Sequence, residues 1–223
     1  MVYLSFGPPT DIIRIVTQIQ IESTKAPFDR PQTARRAASV LIQAEAMGLL
    51  EGLDIRHLDE PSFDQALKRI AGAGIGKGVK AAWVARTEKF SAEELDGLLA
   101  QLAEDLEMSA VPVHEWRSLD HILGTSVLAK LLDISPVSIR RYRAQARSTP
   151  DTVASRLHFV ASLVGDLAGA YNEFGIRRWL ERPRAALDSR SPAELLSGDW
   201  SPEDPSALKV RDLARSLSAS PAT

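Results

Sequence analysis

The chain predicts an all-α protein organised around a helix-turn-helix, and three observations predict it. Apolar residues recur at helical spacing through most of the 223 residues. Ser135-Pro136 and Ser191-Pro192 each place a good N-cap before a proline suited to the first helical position, which needs no N–H donor. The run Ser126-Val-Leu-Ala-Lys-Leu-Leu-Asp-Ile-Ser-Pro-Val-Ser-Ile-Arg-Arg-Tyr142 fits two short helices joined by a tight turn. In that run Leu128, Ala129 and Leu132 face inward on the first helix, and Ile134, Ile139 and Tyr142 close the second onto it. Asp133 stands where such a turn usually carries Gly; Asp tolerates the left-handed conformation, but an acid near phosphates weakens the case.

Before this motif the elements read as follows. Met1–Phe6 alternates weakly and predicts a short strand ended by Gly7-Pro8-Pro9. Thr10 caps a helix carrying Ile12, Ile13, Val16 and Ile19, with a strand as the rival because so many of these residues are β-branched. Pro31 to Leu53 reads as a helix through Ala34, Ala37, Ala38, Leu41 and Ala44, with Gly52 as its stop, and a further helix spans Ser62 to Ile70. Gly72-Ala-Gly-Ile-Gly-Lys-Gly78 is not a phosphate loop: Gly78 replaces the hydroxyl residue, Ala71 replaces the first glycine, and a helix rather than a strand precedes it. Ser91-Ala-Glu-Glu94 is a capping box opening a helix with Leu95, Leu98, Leu99, Leu102 and Leu106 on one face. Its other face is acidic, read as solvated and repelling DNA. Ser109 to Glu115, containing Pro112, reads as a linker, so residues 1–108 form a mostly helical N-terminal extension and 109–115 join it to the rest.

After the motif, Ser148-Thr-Pro-Asp151 supplies a cap, a first-turn proline and a first-turn acid for a long helix. Val153, Leu157, Val160, Val164, Leu167 and Tyr171 form its seam, read as core against the helix-turn-helix, with a dimer seam as the alternative. A homo-oligomer is expected, since DNA readers of this type commonly use two half-sites. The helix-turn-helix and long helix take residues 116–171. A small helical domain follows over 172–217, with its last helix from Ser206 to Leu217, and 218–223 form a flexible tail.

DNA binding is the first functional expectation. Ser135 caps the second helix, Val137, Ser138 and Arg141 occupy the exposed N-terminal part that such motifs insert into the major groove, and Arg140 and Arg143 stand ready for phosphates. A helical hairpin inside an ordinary bundle shares this pattern, and charge weighs between the two. From Trp116 to His158, Arg117, Lys130, Arg140, Arg141, Arg143, Arg147 and Arg156 face only Asp120, Asp133 and Asp151, inside a chain of formal net charge −2.

Composition excludes other classes. With 44% hydrophobic and 25% charged residues the chain can bury a substantial core, as one large domain or two small ones. It contains no apolar run of membrane-spanning length, and its first residues lack a basic segment of the signal-peptide kind; a cytoplasmic location with no membrane partner is the expectation. The absence of cysteine excludes disulfides, thiolate metal sites and cysteine nucleophiles. His57, His114, His121 and His158 lack ligand spacing. No catalytic residue, metal or cofactor is expected, and the chain reads as a non-enzyme.

The C-terminal residues carry a resemblance. Trp179-Leu180, Pro183, Ala186-Leu187, Arg190-Ser191-Pro192 and Leu195-Leu196 resemble, in order and spacing, the toxin-binding domain of Xre/MbcA/ParS-type antitoxins. The preceding helix-turn-helix and long helix also sit where that family places them. The resemblance covers Trp116 to Leu217; Arg184-Ala185 replaces the commoner Asn-Pro, and Asp188-Ser189 a Gly-Gly-like turn. It implies an antitoxin that neutralises a RES-domain toxin acting on NAD⁺ and binds its own operator DNA. It further implies toxin contact through Trp179, Leu180 and Arg190 and through a tail including Ser218, Ser220 and Thr223. Read from the residues alone, Trp179, Leu187, Leu195 and Leu196 equally form the core of a small domain, and Ser191 with Glu194 a capping box. A stand-alone regulator or adaptor with another protein partner is the alternative function.

Overall fold

A computed structural model describes residues 19–219. The strand expected at Met1–Phe6, the Thr10 cap, Ile12, Ile13 and Val16 lie outside the described residues, as do Ser220 and Thr223. Ile19 begins strand β1 (Ile19–Thr24), which pairs in parallel with β2 (Ile55–Leu58), in register Ile19↔Ile55, Ser23↔His57 and Thr24↔Leu58. Parallel neighbours need a crossover, and helix α1 (Pro31–Ala46) supplies it. Pro31 starts α1 and Ala34, Ala37, Ala38, Leu41 and Ala44 bury its inner face, as the spacing predicts. The helix stops seven residues short of Leu53 because the chain turns at Gly48, whose φ is +75° and whose absent Cβ would meet the His114 carbonyl oxygen at 2.7 Å. That turn returns Met47, Leu49 and Leu50 to the core.

Helix α2 (Glu60–Gly72) starts on Asp59, whose carboxylate accepts from the Ser62 backbone N–H at 3.1 Å. The glycine run then joins it to α3 (Lys77–Ala85), so it links two helices as its sequence predicts. In α4 (Ala92–Glu107) both halves of the Ser91/Glu94 capping box form, and Leu95, Leu99, Leu102 and Leu106 are buried. Its acids are not uniformly solvated: Asp96 pairs with Arg36 at 3.5 Å, and Glu107 with Arg211 and Arg215.

The remaining elements are α5 (Pro112–Leu123), α6 (Thr125–Leu132), α7 (Pro136–Arg143), α8 (Asp151–Ala168), α9 (Glu173–Glu181), a 3₁₀ turn at Ala185–Leu187, α10 (Pro192–Leu195) and α11 (Pro205–Ala219). The described residues are therefore mostly helical, with one two-stranded sheet. Two expectations need correcting. Residues 112–115 of the expected linker form the first turn of α5, because Pro112 opens a helix instead of breaking one, and Glu115 is completely buried. The expected cap of α8 is absent: Pro150 holds the N-cap position without a side-chain bond, and the Thr149 hydroxyl instead accepts from the Trp116 indole N–H at 2.9 Å.

Helix α8 is the central element. Every residue from Phe159 to Gly165 is buried, and α1, α5, α6, α9 and α11 surround it. The seam residues Leu157, Val160, Val164 and Leu167 are filled from within the chain, which leaves no open dimer seam on this face. One contiguous core spans the N-terminal extension, the helix-turn-helix and the C-terminal module. Among the described residues, no helix is long and apolar enough to cross a membrane.

A partly buried ionic cluster ties α4, α5, α8 and α11 together. His158 Nδ1 lies 2.6 Å from Glu115 Oε1 and its Nε2 lies 2.8 Å from the Glu107 carbonyl oxygen. Both ring nitrogens face acceptors, which suits the doubly donating imidazolium. Burial opposes that charge, but the Glu115 hydrogen bond and charge, with the Glu107 carbonyl, outweigh it and hold His158 above its ordinary value. Burial pushes Asp166 up to about 6, against the pull of Arg215 and Arg211. Glu107 behaves oppositely, since burial raises it but Arg211 and Arg215 bring it below its ordinary value.

Raised values mean tighter proton binding in the folded state, so the Asp166 and His158 contributions are fully present at low pH. The first declines as pH rises from 3.8 through about 6. The second declines as pH rises from 6.5 through the higher folded value of His158. The melting temperature is therefore expected to fall as pH rises towards about 6, as Asp166 ionises, and to fall further above pH 6.5 as His158 loses its proton. Glu115→Gln, which keeps an acceptor but removes the charge, should abolish the fall above pH 6.5; an unchanged slope in that variant would contradict this assignment.

Candidate nucleic-acid interface and C-terminal module

The turn between α6 and α7 is built by two residues. Asp133 ends α6 in the left-handed conformation, φ 51° and ψ 46°, in place of the usual glycine. Ser135 is extended, and its hydroxyl accepts from the Ser138 backbone N–H at 3.1 Å, with Pro136 in the first turn of α7. Leu128, Leu132, Ile139 and Tyr142 are buried as expected, Ala129 and Ile134 are half-buried, and Leu131 is a core residue the sequence reading missed. Tyr142 stacks on Trp116 of α5 with centroids 5.4 Å apart, fixing α7 on the bundle.

With Ile139 and Tyr142 inward, the helical period turns Val137, Arg141 and Ala144 directly outward, beside Arg140. All four are exposed, and neither arginine makes an ion pair or side-chain hydrogen bond with a described residue. Two predicted DNA contacts fall elsewhere. Arg143 lies on the flank of α7 and pairs with Asp120 of α5, whose carboxylate also accepts from Thr125 at 2.5 Å. Ser138 is half-buried, and its hydroxyl lies 3.0 Å from that of Ser135, so it belongs to the cap. Arg147 follows α7 on an exposed loop, its guanidinium 5.9 Å from the Tyr142 ring. The outward surface is thus Val137, Arg140, Arg141, Ala144 and Arg147.

In the C-terminal module, Asn172 caps α9 by accepting from the Gly175 N–H at 2.9 Å. Trp179 is 2% exposed and Leu180 0%, which removes both from the expected contact surface and places them in the core. The Arg184 guanidinium lies 4.5 Å from the Trp179 ring centroid, where it covers the indole face. Arg184 and Arg190 then form an antiparallel bridge, and Asp188 and Ser189 take positive φ between them. Asp and Ser thus adopt the left-handed backbone themselves, without a glycine. Both halves of the Ser191/Glu194 capping box form. Arg190 remains exposed, while Ser218 falls in the last turn of α11 and not in a tail. Phe174, 65% exposed, and Leu208 are apolar surface residues that helical spacing alone did not single out.

The module grips the helix-turn-helix at two carbonyl ends. Arg177 of α9 donates to the Ile122 carbonyl of α5 at 2.7 Å, and the Trp200 indole N–H donates to the Leu131 carbonyl of α6 at 2.8 Å. Such last-turn carbonyls lack helical partners and need donors from elsewhere. Arg156 of α8 completes the second junction by bonding the Gly198 carbonyl and Asp199 while covering the Trp200 ring.

Elsewhere, a cleft of about 630 Å³ opens between α2 and the end of α3, lined by Glu60, Asp64, Trp83, Arg86, Thr87 and Lys89. Arg86 stacks 4.2 Å from the Trp83 centroid and is bonded to Glu60, so its charge is already matched within the chain. Among the described residues, no group of three or more His, Cys, Asp or Glu side chains comes together to hold a metal. Comparison with protein-family models, curated proteins and solved structures gives no match.

Proposed function

We propose that the chain is an antitoxin that binds its own operator DNA through α7 and neutralises a RES-domain, NAD⁺-consuming toxin through its C-terminal module, without catalytic activity or cofactor of its own. The observation that carries the DNA part is the outward face of α7, where Arg140 and Arg141 have no partner among the described residues, in a chain of formal net charge −2. The toxin part rests on the residue pattern from Trp179 to Leu196, together with the capped turn that the pattern encodes here. Arg190 is the proposed contact that stays on the surface. A homo-oligomer on paired half-sites belongs to the same proposal, through a surface other than the α8 seam.

The test is co-expression with the product of the neighbouring reading frame, reading co-elution and NAD⁺ consumption, together with titration of the promoter duplex. Burial of Trp179 and Leu180 gives some weight to a second reading, a helix-turn-helix regulator whose module binds a different protein. Promoter binding with no effect on NAD⁺ consumption would select it.

A truncation separates module from tail. Ala207, Val210 and Ala214 anchor α11, so deleting Ser220–Thr223 is expected to leave the melting temperature unchanged within about 2 °C. If the end of the chain blocks the toxin's site, the truncated protein should bind toxin but fail to stop NAD⁺ loss. Full suppression would assign neutralisation to the folded module.

A further inference from the structure

Resting on the DNA reading of α7, we infer that Val137 reads the C5-methyl group of a thymine lying within two base pairs of a guanine contacted by Arg141. Val137 is 45% exposed, one of only a few large apolar side chains at the surface among the described residues. It sits in the first turn of α7, where Pro136 and the Ser135 cap fix the backbone. It therefore occupies the N-terminal part of a recognition helix, the part that reaches base edges. Arg141 lies one turn further along the same outward face, and Ala144 follows with a side chain too small to hold the helix off a groove floor. Ser138, the other residue positioned to read bases, is committed to the cap, and Arg143 to Asp120. At the centre of the outward face, direct readout is left to one apolar group and the Arg141 guanidinium, with Arg140 at the edge towards the phosphates.

The major groove offers chemistry that matches both. Thymine is the base that presents a methyl group there, and guanine presents the O6/N7 acceptor pair that takes a bidentate arginine. One helical turn is about 5.4 Å, and successive bases are about 3.4 Å apart, so the two contacts fall on adjacent or next-adjacent pairs. A valine that merely tolerates exposure predicts no preference for a methyl group. A valine seated on thymine predicts that removing that single methyl from the DNA weakens binding.

The experiment uses the full chain. Bound duplexes are selected from a random pool, and each thymine of the enriched site is replaced in turn by deoxyuridine, which lacks only the methyl. One position near an enriched guanine is expected to weaken wild-type binding about fourfold, the value of one buried methyl-sized group. Val137→Ala, at an exposed site where alanine favours helix, is expected to keep its melting temperature and to bind thymine and deoxyuridine duplexes equally. Wild-type affinity unchanged at every deoxyuridine position would overturn the inference while leaving DNA binding intact. The same fourfold loss persisting in Val137→Ala would move the methyl contact to another residue. No enrichment of any duplex would overturn the DNA reading and this inference together.

Discussion

Replacing Arg140 and Arg141 together with alanine is expected to weaken binding to the promoter duplex by roughly a hundredfold at about 0.15 M salt, with no change in melting temperature. The two arginines contribute differently. A bidentate Arg141–guanine contact is worth about 1–3 kcal/mol and discriminates among sequences, so Arg141→Ala alone should relax specificity. Arg140 stands at the edge of the outward face, suited to a phosphate; Arg140→Ala should weaken all duplexes alike and lower the salt slope by about one. Both side chains are exposed and have no partner among the described residues, which is why the fold should not register their loss. Arg143→Ala supplies the contrast. Its partner Asp120 is only 8% exposed, so removing the guanidinium disturbs the junction of α5 with α7 and should lower stability more than affinity. Equal promoter affinity of the wild type and the Arg140/Arg141 double variant would remove DNA recognition from this surface.

The helix-turn-helix was legible because its signals are local. A cap, a first-turn proline and apolar residues at period 3.6 lie within seventeen consecutive positions, and each acts on its immediate neighbours. The capping boxes at Ser91 and Ser191 are of the same kind, and both formed. The β1/β2 pair was not legible, because Ile55–Leu58 is four residues long and its pairing partner lies more than thirty positions earlier. Its stability comes from Ile19, Ile21, Ile55 and Leu58 meeting the core, a tertiary fact. Pro112 and Thr149 misled for a shared reason: proline and threonine signal a break or a cap only when the surrounding chain leaves them that role. Pro112 instead starts a helix, and Trp116 claims the Thr149 hydroxyl. Within the candidate site, spacing gave the outward direction of Val137 and Arg141, while the diversion of Arg143 needed Asp120 to be placed beside it by α5. Trp179 and Leu180 illustrate the same limit. A sequence cannot say whether an aromatic-aliphatic pair meets a partner protein or its own chain, and here Arg184 and the module core cover them.

The largest stability effect is expected at Trp200, where the C-terminal module meets the helix-turn-helix. Its ring packs edge-on to Phe159 at 5.3 Å, lies under Arg156, and donates its indole N–H to the Leu131 carbonyl. Trp200→Ala removes that ring from a 4% exposed site and leaves the carbonyl without its donor, so a loss of about 3–5 kcal/mol follows. For a chain of this size that is on the order of a 10 °C drop in melting temperature. Trp200→Phe divides the effect, because it keeps most of the apolar contact and removes only the hydrogen bond, for about 1–3 kcal/mol. Since one core runs through both regions, heat should unfold the wild type in a single transition seen alike by circular dichroism and tryptophan fluorescence. Trp200→Ala should shift that transition as a whole and weaken promoter binding as well, because Leu131 lies two residues before the Asp133 turn that aims α7. Two separate transitions in the wild type, with Trp200→Ala moving only one, would show that the module and the helix-turn-helix fold independently and that the Trp200 junction transmits nothing between them.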